Sequence, residues 1–256
     1  MNKFLTAVCA VALSFAATGC ASTQNADGGA ADAAEISDPL EGVNRGVFAF
    51  NDAVDRAVGR PIAQGYRAVV PKPARTGVRN FLSNLRSPIV LANNVLQGDV
   101  EGSGKTLLRA VVNTTVGVGG LFDVAGHEGV KDDPEDFGQT LAVWGAGHGP
   151  YLVLPLLGPS SVRDATGMMV DSYADPLRLY LYNTDNEGWH YARIGATYVD
   201  KREELLDVLD DLRKNSFDYY AALRSVYVQR REALVHDQNP DETAAPSIPD
   251  YDSAAN

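Results

Sequence analysis

The sequence predicts an all-α fold. It reads as a single helical domain with apolar loops that contain glycine and proline, set between a flexible N-terminal tether and a disordered C-terminal tail. Three observations predict it. Apolar residues recur at three- and four-residue steps through most of the chain, the period of a helix with one buried face. Helix-start signals, an Asp or Ser beside Pro or ahead of an apolar run, recur along it. Hairpin signals are weak, because Asp27-Gly28 lies in the polar N-terminal stretch and not between alternating segments.

The elements follow in order. Asp38-Pro39-Leu40-Glu41 predicts a helix start, with Asp as cap, Pro in the first turn and Glu reaching back. Behind it Leu40, Val43, Val47, Phe50, Val54 and Val58 form an apolar stripe. Residues 88–97 are expected as a short apolar helix closed by Gly98. Asp99 is expected to cap the next helix, with Leu107, Leu108, Val111 and Val112 as its buried side. Asp133-Pro134, Ser160-Ser161 and Asp175-Pro176 offer further starts, and 189–212 and 216–235 read as two longer helices. Residues 116–126 and 149–159 are apolar but cannot form long regular helices, since Pro removes a donor and Gly costs about 1 kcal/mol in a helix interior. They are expected as loops that are buried in protein or line a cavity.

The N-terminus reads as an export signal. After Met1-Asn2-Lys3 the chain is apolar from Phe4 to Ala17, broken only by Thr6 and Ser14. That is too short for a mature span, which needs ~20 apolar residues. Ala17-Thr18-Gly19-Cys20 resembles the lipobox of bacterial lipoproteins, in which the cysteine is acylated and becomes the first residue. Ala17 stands where Leu is usual. Ala21-Ser22 follow without the acidic residues that resemble inner-membrane retention signals, which points to the outer membrane. Cys9 is lost with the signal, so the mature chain is expected to hold one cysteine and no internal disulfide. Covalent acyl chains on Cys20 are expected to be the anchor, and stable anchoring takes more than one chain. The expected organisation is 1–19 signal, 20–36 lipidated cysteine and tether, 37–235 helical domain, and 236–256 acidic tail.

Composition and motifs exclude several functions. Loss of Lys3 takes the formal charge from −11 to −12, so the chain is not expected to bind nucleic acid. Gly102-Ser103-Gly104-Lys105-Thr106 fails as a nucleotide loop, because Asp99 stands where its first glycine is required. Asp136-Phe137-Gly138 resembles a kinase triplet, but no other kinase element accompanies it. His127, His148, His190 and His236 show no metal-ligand spacing, and no G-x-S-x-G elbow is present. Ser160-Ser161, followed by Asp164, reads as a helix cap and not a nucleophile. Neither enzyme activity nor a metal or cofactor is expected.

Ordered blocks from Asp38 to about Leu181 resemble the VacJ/MlaA lipoproteins, and more loosely to about Arg231. They are Asp38-Pro39-Leu40-Glu41-Gly42-Val43-Asn44-Arg45, Asn80-Phe81 with Asn84-Leu85, and Leu96-Gln97-Gly98. Asn113-Thr114-Thr115, then Gly117 and Gly119-Gly120-Leu121-Phe122-Asp123-Val124-Ala125 continue the match. Asp136 to Leu141, Gly147, Gly149-Pro150-Tyr151, Leu154-Pro155, Gly158-Pro159 and Arg163-Asp164 complete it. Val43 and Ala110 depart from the family where aromatics are common.

The resemblance implies a ring-like helical protein embedded in the inner leaflet of the outer membrane, on its periplasmic face. It implies an amphipathic channel that removes mislocalised phospholipids from the outer leaflet. It also implies a trimeric porin partner and handover to a soluble periplasmic lipid carrier feeding an inner-membrane ABC transporter. With it, Gly117, Gly119, Gly120, Leu121, Phe122, Tyr151, Leu152, Leu154, Pro155 and Leu156 are expected to line the lipid path. Gly126, His127, Pro134 and Phe137 are expected in a movable loop. The alternative is a structural, porin-associated lipoprotein that transfers no lipid. A lipase-like enzyme lacks its nucleophile motif.

Overall fold

The computed structural model describes residues 38–236. The expected signal at 1–19, the expected lipidated Cys20 and tether at 20–36, and the expected acidic tail from 237 on lie outside the described residues. The domain is helical, as the periodicity predicts, with one short hairpin.

Helix α1 (Glu41–Val54) continues through a π-helical turn (Asp55–Gly59) into α2 (Arg60–Val69). Asp38 does not cap α1. Its carboxylate instead accepts from Asn44 Nδ2 at 2.7 Å, from the Tyr220 hydroxyl and from Arg224 Nη1 at 3.2 Å. The first described residue is thereby tied to the last helix. The expected helix at 88–97 is the end of a longer one, α3 (Lys72–Gln97), with Pro88 inside it. Pro88 removes one ladder bond, and the side chain of Asn84, four residues earlier, ties that stretch to Thr114. Gly98 closes α3 at φ +78, the left-handed conformation that glycine adopts freely. Asp99 then caps α4 (Val100–Thr115) by accepting from the Gly102 N–H.

Asn113 organises the glycine-rich stretch that follows. Its carbonyl accepts from Gly120 N–H, and its side chain bonds both Asp123 and the Ala125 N–H. Asp123 caps a single turn, α5 (Val124–His127). Helix α6 (Phe137–Val143) starts three residues after the expected Asp133-Pro134 signal, because Asp136 is the side chain that reaches the orphan Gln139 N–H.

A hairpin replaces the loop expected at 149–159. Strands β1 (Tyr151–Leu154) and β2 (Gly158–Ser161) pair antiparallel, Tyr151 opposite Ser161 and Leu154 opposite Gly158. Pro155 is confined to the turn, where its missing N–H costs nothing, and Leu156 takes φ +64 there. The free edge of β1 is paired by side chains of α1. Asn44 donates to the Tyr151 carbonyl and accepts from Val153 N–H; Asn51 does the same for Leu154 and Leu156. Tyr151, Val153 and Tyr220 form a small apolar core against Val47, Phe48 and Tyr227.

Ser161 caps α7 (Val162–Ala174) and Asp175 caps α8 (Pro176–Asn183), both as the sequence signals predict. The expected helix at 189–212 is two, α9 (Glu187–Glu204) and α10 (Leu206–Asn215), parted at Leu205. Asp218 caps the last helix, α11 (Tyr219–Val235). Among the described residues, no helix is long and apolar enough to cross a membrane.

Candidate functional site

The helices bury the wrong face for a protein packed in water. Leu107, Leu108 and Val111, expected inside, are exposed, while α4 buries Gly102, Thr106, Arg109 and Asn113. In the stripe expected to be buried on α1, Leu40, Val43, Phe50 and Val58 are exposed and Asn44 is buried. Across the described residues, 36 large hydrophobic side chains are exposed, against ten buried hydrophobics and 19 buried polar or charged residues. Scattered exposed leucines are ordinary; an apolar exterior on most helices over a polar interior is not, and marks contact with something apolar.

The polar interior surrounds a cavity of about 700 Å³. Helices α3, α4, α7, α9 and α11 and strand β2 all contribute to its wall. Arg79, Ser83 and Arg86 of α3 and His190, Arg193, Thr197, Asp200, Lys201 and Glu204 of α9 share the wall with apolar Leu82, Ile89, Val90, Met168 and Ile194. Most of the lining charge is paired. Arg231 grips Asp136 at 2.7 Å and Asp164 at 2.9 Å. Arg79 holds Asp200 and Glu204, Arg109 holds Asp132, and Arg193 holds Asp175. Asp171 accepts from Phe137 N–H and Asn93 Nδ2.

These pairings set the ionisation of the wall. Burial works against the Asp164 carboxylate, but Arg231, the Tyr227 hydroxyl and Arg163 overcome it and hold Asp164 down at about 2. Asp136 is likewise lowered, burial being outweighed by Arg231. Asp171 moves the other way: burial raises it, and its two hydrogen bonds only partly compensate. Burial also lowers His148 and His190, aided by Arg163 and Arg193 respectively. The wall is thus a fixed lattice of charges rather than an acid–base pair aimed at a substrate.

The residues expected to line a lipid path do not line this cavity. Tyr151, 1% exposed, belongs to the core, packed against Tyr220 and Tyr227. Leu152 and Leu154 are half-buried in β1, and Pro155 and Leu156 are exposed at the hairpin turn. Gly117 and Gly120 are buried where a side chain would collide, with Phe122 O 2.2 Å and Asn84 Cβ 2.5 Å from the added carbon. Gly119 is half-buried over open space, and Leu121 and Phe122 are exposed beside it. Of the four residues named for the movable loop, Pro134 lines the cavity, beside Asp132 and Asp136 of the same segment. Gly126 and His127 lie in α5, and Phe137 opens α6 with its ring against Trp144. The segment between them is fastened by Arg109 to the Val130 carbonyl and by Gln139 to the Pro134 carbonyl.

Sequence reasoning missed the charged wall. Its signal is present: polar residues on α3 and α9 recur at helical spacing. A polar stripe on an amphipathic helix ordinarily faces water. Here the polar stripe lines the cavity together with Leu82, Ile89, Val90 and Ile194, while other apolar residues of these helices, such as Val95, Leu96, Trp189 and Tyr191, are exposed.

The comparisons with known proteins agree with this architecture. The MlaA lipoprotein family model matches residues 36–234. An uncharacterized protein of Rickettsia prowazekii (strain Madrid E) is 39% identical over 213 residues, covering 83% of this chain and 82% of its own length. The intermembrane phospholipid transport system lipoprotein MlaA of Escherichia coli (strain K12) is 38% identical, covering 78% of this chain and 79% of its own. That of Haemophilus influenzae is 31% identical, covering 97% of each. A solved structure, described as the structural basis for maintenance of bacterial outer membrane lipid asymmetry, superposes with TM-score 0.68 at 37% identity. It covers 78% of this chain and 99% of that one. With a family model matching residues 36–234 and relatives above 30% identity covered over 79% and 97% of their length, the chain belongs to the MlaA lipoprotein family.

Proposed function

We propose that this chain is a lipid-anchored outer-membrane protein that transports phospholipid between membranes. It would remove mislocalised phospholipids from the outer leaflet and pass them to a soluble periplasmic carrier. The observation that carries the reading is the reversed polarity: exposed apolar helix faces, and inside them an amphipathic cavity whose wall mixes ion-paired side chains with apolar ones. The names of the Escherichia coli and Haemophilus influenzae relatives support it.

The physics of the task explains the arrangement. At ~0.8 kcal/mol per CH₂ and about 30 CH₂ groups, drawing two acyl chains into water costs on the order of 24 kcal/mol. A transfer protein must keep tails on apolar surface while the headgroup stays on polar surface. The exterior suits acyl chains and the cavity suits a headgroup. With no helix among the described residues long and apolar enough to cross, the domain would sit in the inner leaflet, held by acyl groups on Cys20 and by its exterior, beside a trimeric porin. No nucleotide motif supplies energy here, so net direction would come from other components.

The test is lipid analysis of the full chain purified in mild detergent. Phospholipid should co-purify in about equal amount, and cells lacking the chain should lose outer-membrane lipid asymmetry until it is restored. Folded variants Leu108→Glu and Val111→Glu, which put carboxylates on the exposed apolar side of α4, should fail to restore it. A lipid-free protein, with asymmetry unaffected by its loss, would favour the structural, porin-associated alternative.

A further inference from the structure

We propose that the turn of the β1–β2 hairpin is a membrane-seating tip, in which Asn51 of α1 holds Leu156 and Leu157 out into the acyl boundary of a phospholipid leaflet. This rests on the reading above that places the domain in one leaflet. The first observation is backbone strain. Leu156 takes φ +64. A side chain makes that left-handed conformation costly, so hairpin turns ordinarily use Gly, Asn or Asp there. The leucine gains no burial in return: Leu156 and Leu157 are 57% and 65% exposed, and Pro155 before them is exposed too. Val118, the other aliphatic residue at positive φ among the described residues, is likewise exposed in an apolar turn. The second observation is a clamp. Asn51 Nδ2 donates to the Leu154 carbonyl at 2.9 Å, and Asn51 Oδ1 accepts from the Leu156 N–H at 2.8 Å. The two bonds fix an otherwise unfavourable turn against α1 and hold its apex in one shape.

The chemistry of the tip selects its occupant. No charged residue stands between Gly149 and Val162. Pro155 has no N–H, and the Leu156 N–H is taken by Asn51. A free backbone donor opposes entry into an apolar phase, because lipid tails offer it no acceptor. A turn with leucines at its apex and donors removed or paired beneath them therefore suits lipid. A protein partner is ordinarily met by a polar rim around the apolar contact, and the hairpin carries no charge to supply one. The clamping helix continues the apolar surface: Val43 and Phe50, each one residue before an asparagine that bonds β1 or its turn, are exposed. Irregular backbone does not cross a hydrocarbon core, so the tip seats shallowly, where headgroups meet acyl chains.

The experiment uses the mature, acylated chain in vesicles of phosphatidylethanolamine and phosphatidylglycerol. An environment-sensitive nitrobenzoxadiazole label is placed in turn at Leu157→Cys, at Val111→Cys on the exposed apolar side of α4, and at Lys214→Cys at the exposed, charged end of α10. Lipids spin-labelled near the headgroup end of an acyl chain should quench the label at 157 about threefold or more over the label at 214. Lipids spin-labelled near the methyl end should quench it less. Asn51→Ala should remove most of the quenching at 157 and leave that at 111 unchanged. Leu156→Asn, which keeps the left-handed turn with less strain, should unfold at the same temperature or higher and still move the 157 label toward water. A label at 157 as wet as that at 214, with the label at 111 quenched, would overturn the tip and leave the lipid-transfer reading standing. Shielding of 157 that appears only when a trimeric porin is added would also overturn it, by assigning the tip to a protein partner. Quenching at 157 unchanged in both variants would overturn the clamp. Quenching at neither 157 nor 111 would remove the leaflet placement together with the tip.

Discussion

Arg231 shows how much of the interior depends on single residues. Its guanidinium bridges Asp136 and Asp164, residues 95 and 67 positions away in the chain, and so fixes α11 against α6 and α7. Removing one partner of a buried ion pair leaves the others charged and dry, at a cost of roughly 3–5 kcal/mol. Arg231→Met should therefore lower stability by about that much in chemical unfolding in detergent, and adding Asp136→Asn and Asp164→Asn should recover part of it. The same cluster sets an acid limit. Asp164 titrates at about 2 in the folded protein, below the ordinary carboxylate value, so its ionised form stabilises the fold. That contribution, about 2 kcal/mol, is complete above pH 4 and should be lost as pH falls from about 4 to 2. Asp164→Asn should flatten the unfolding profile in that window. None of this is legible in the sequence, where Arg231 is one member of a run, Gln229-Arg230-Arg231-Glu232, that reads as a solvated helix face. Only the distant partners show which arginine points inward.

At the level of elements, the sequence speaks clearly wherever a signal is local. Asp99, Ser161 and Asp175 cap the helices they precede, because an N-cap bond spans two or three residues. Asp38 fails as a cap because partners more than 180 residues away, Tyr220 and Arg224, compete for its carboxylate. The hairpin at 151–161 was illegible for a similar reason. One edge of β1 is paired by the side chains of Asn44 and Asn51, two turns apart on a helix, and no strand propensity records that. Helix contacts made by glycine are likewise visible only in three dimensions. On α7, a side-chain carbon at Gly167 would lie 2.3 Å from the Gly138 backbone nitrogen, so backbone must move to admit it. Gly167→Ala should cost at least about 2 kcal/mol in unfolding. Gly65 on α2 has open space around it, and Gly65→Ala should instead stabilise by about 0.5–1 kcal/mol. Equal effects at the two positions would contradict the close α6–α7 approach.

For the whole molecule the question is what holds it at a membrane, and the reversed polarity changes the weight of each candidate. The proposed acyl anchor at Cys20 is one attachment; the exterior offers another. Val69, Val100 and Trp189 are 81%, 83% and 71% exposed, and Leu107, Leu108 and Val111 line the outer side of α4. Burying a large aliphatic side chain is worth about 1.5–3 kcal/mol, so a few such residues seated among acyl chains rival a lipid anchor. Periodicity alone identified these stripes but not their direction, because a helix with one apolar face is equally suited to a protein core and to a bilayer. The charged stripes opposite them decide the matter, since they close around a cavity in place of water. Cys20→Ser alone should accordingly leave a substantial part of the protein co-floating with phospholipid vesicles. Adding Leu108→Glu and Val111→Glu to it should release the protein, because each replacement removes an apolar contact and puts a carboxylate at the lipid surface. Both positions are exposed, so circular dichroism should show the helical content unchanged. If Cys20→Ser with its exterior intact already remains wholly in the aqueous fraction, the apolar faces do not embed the domain and the anchor acts alone.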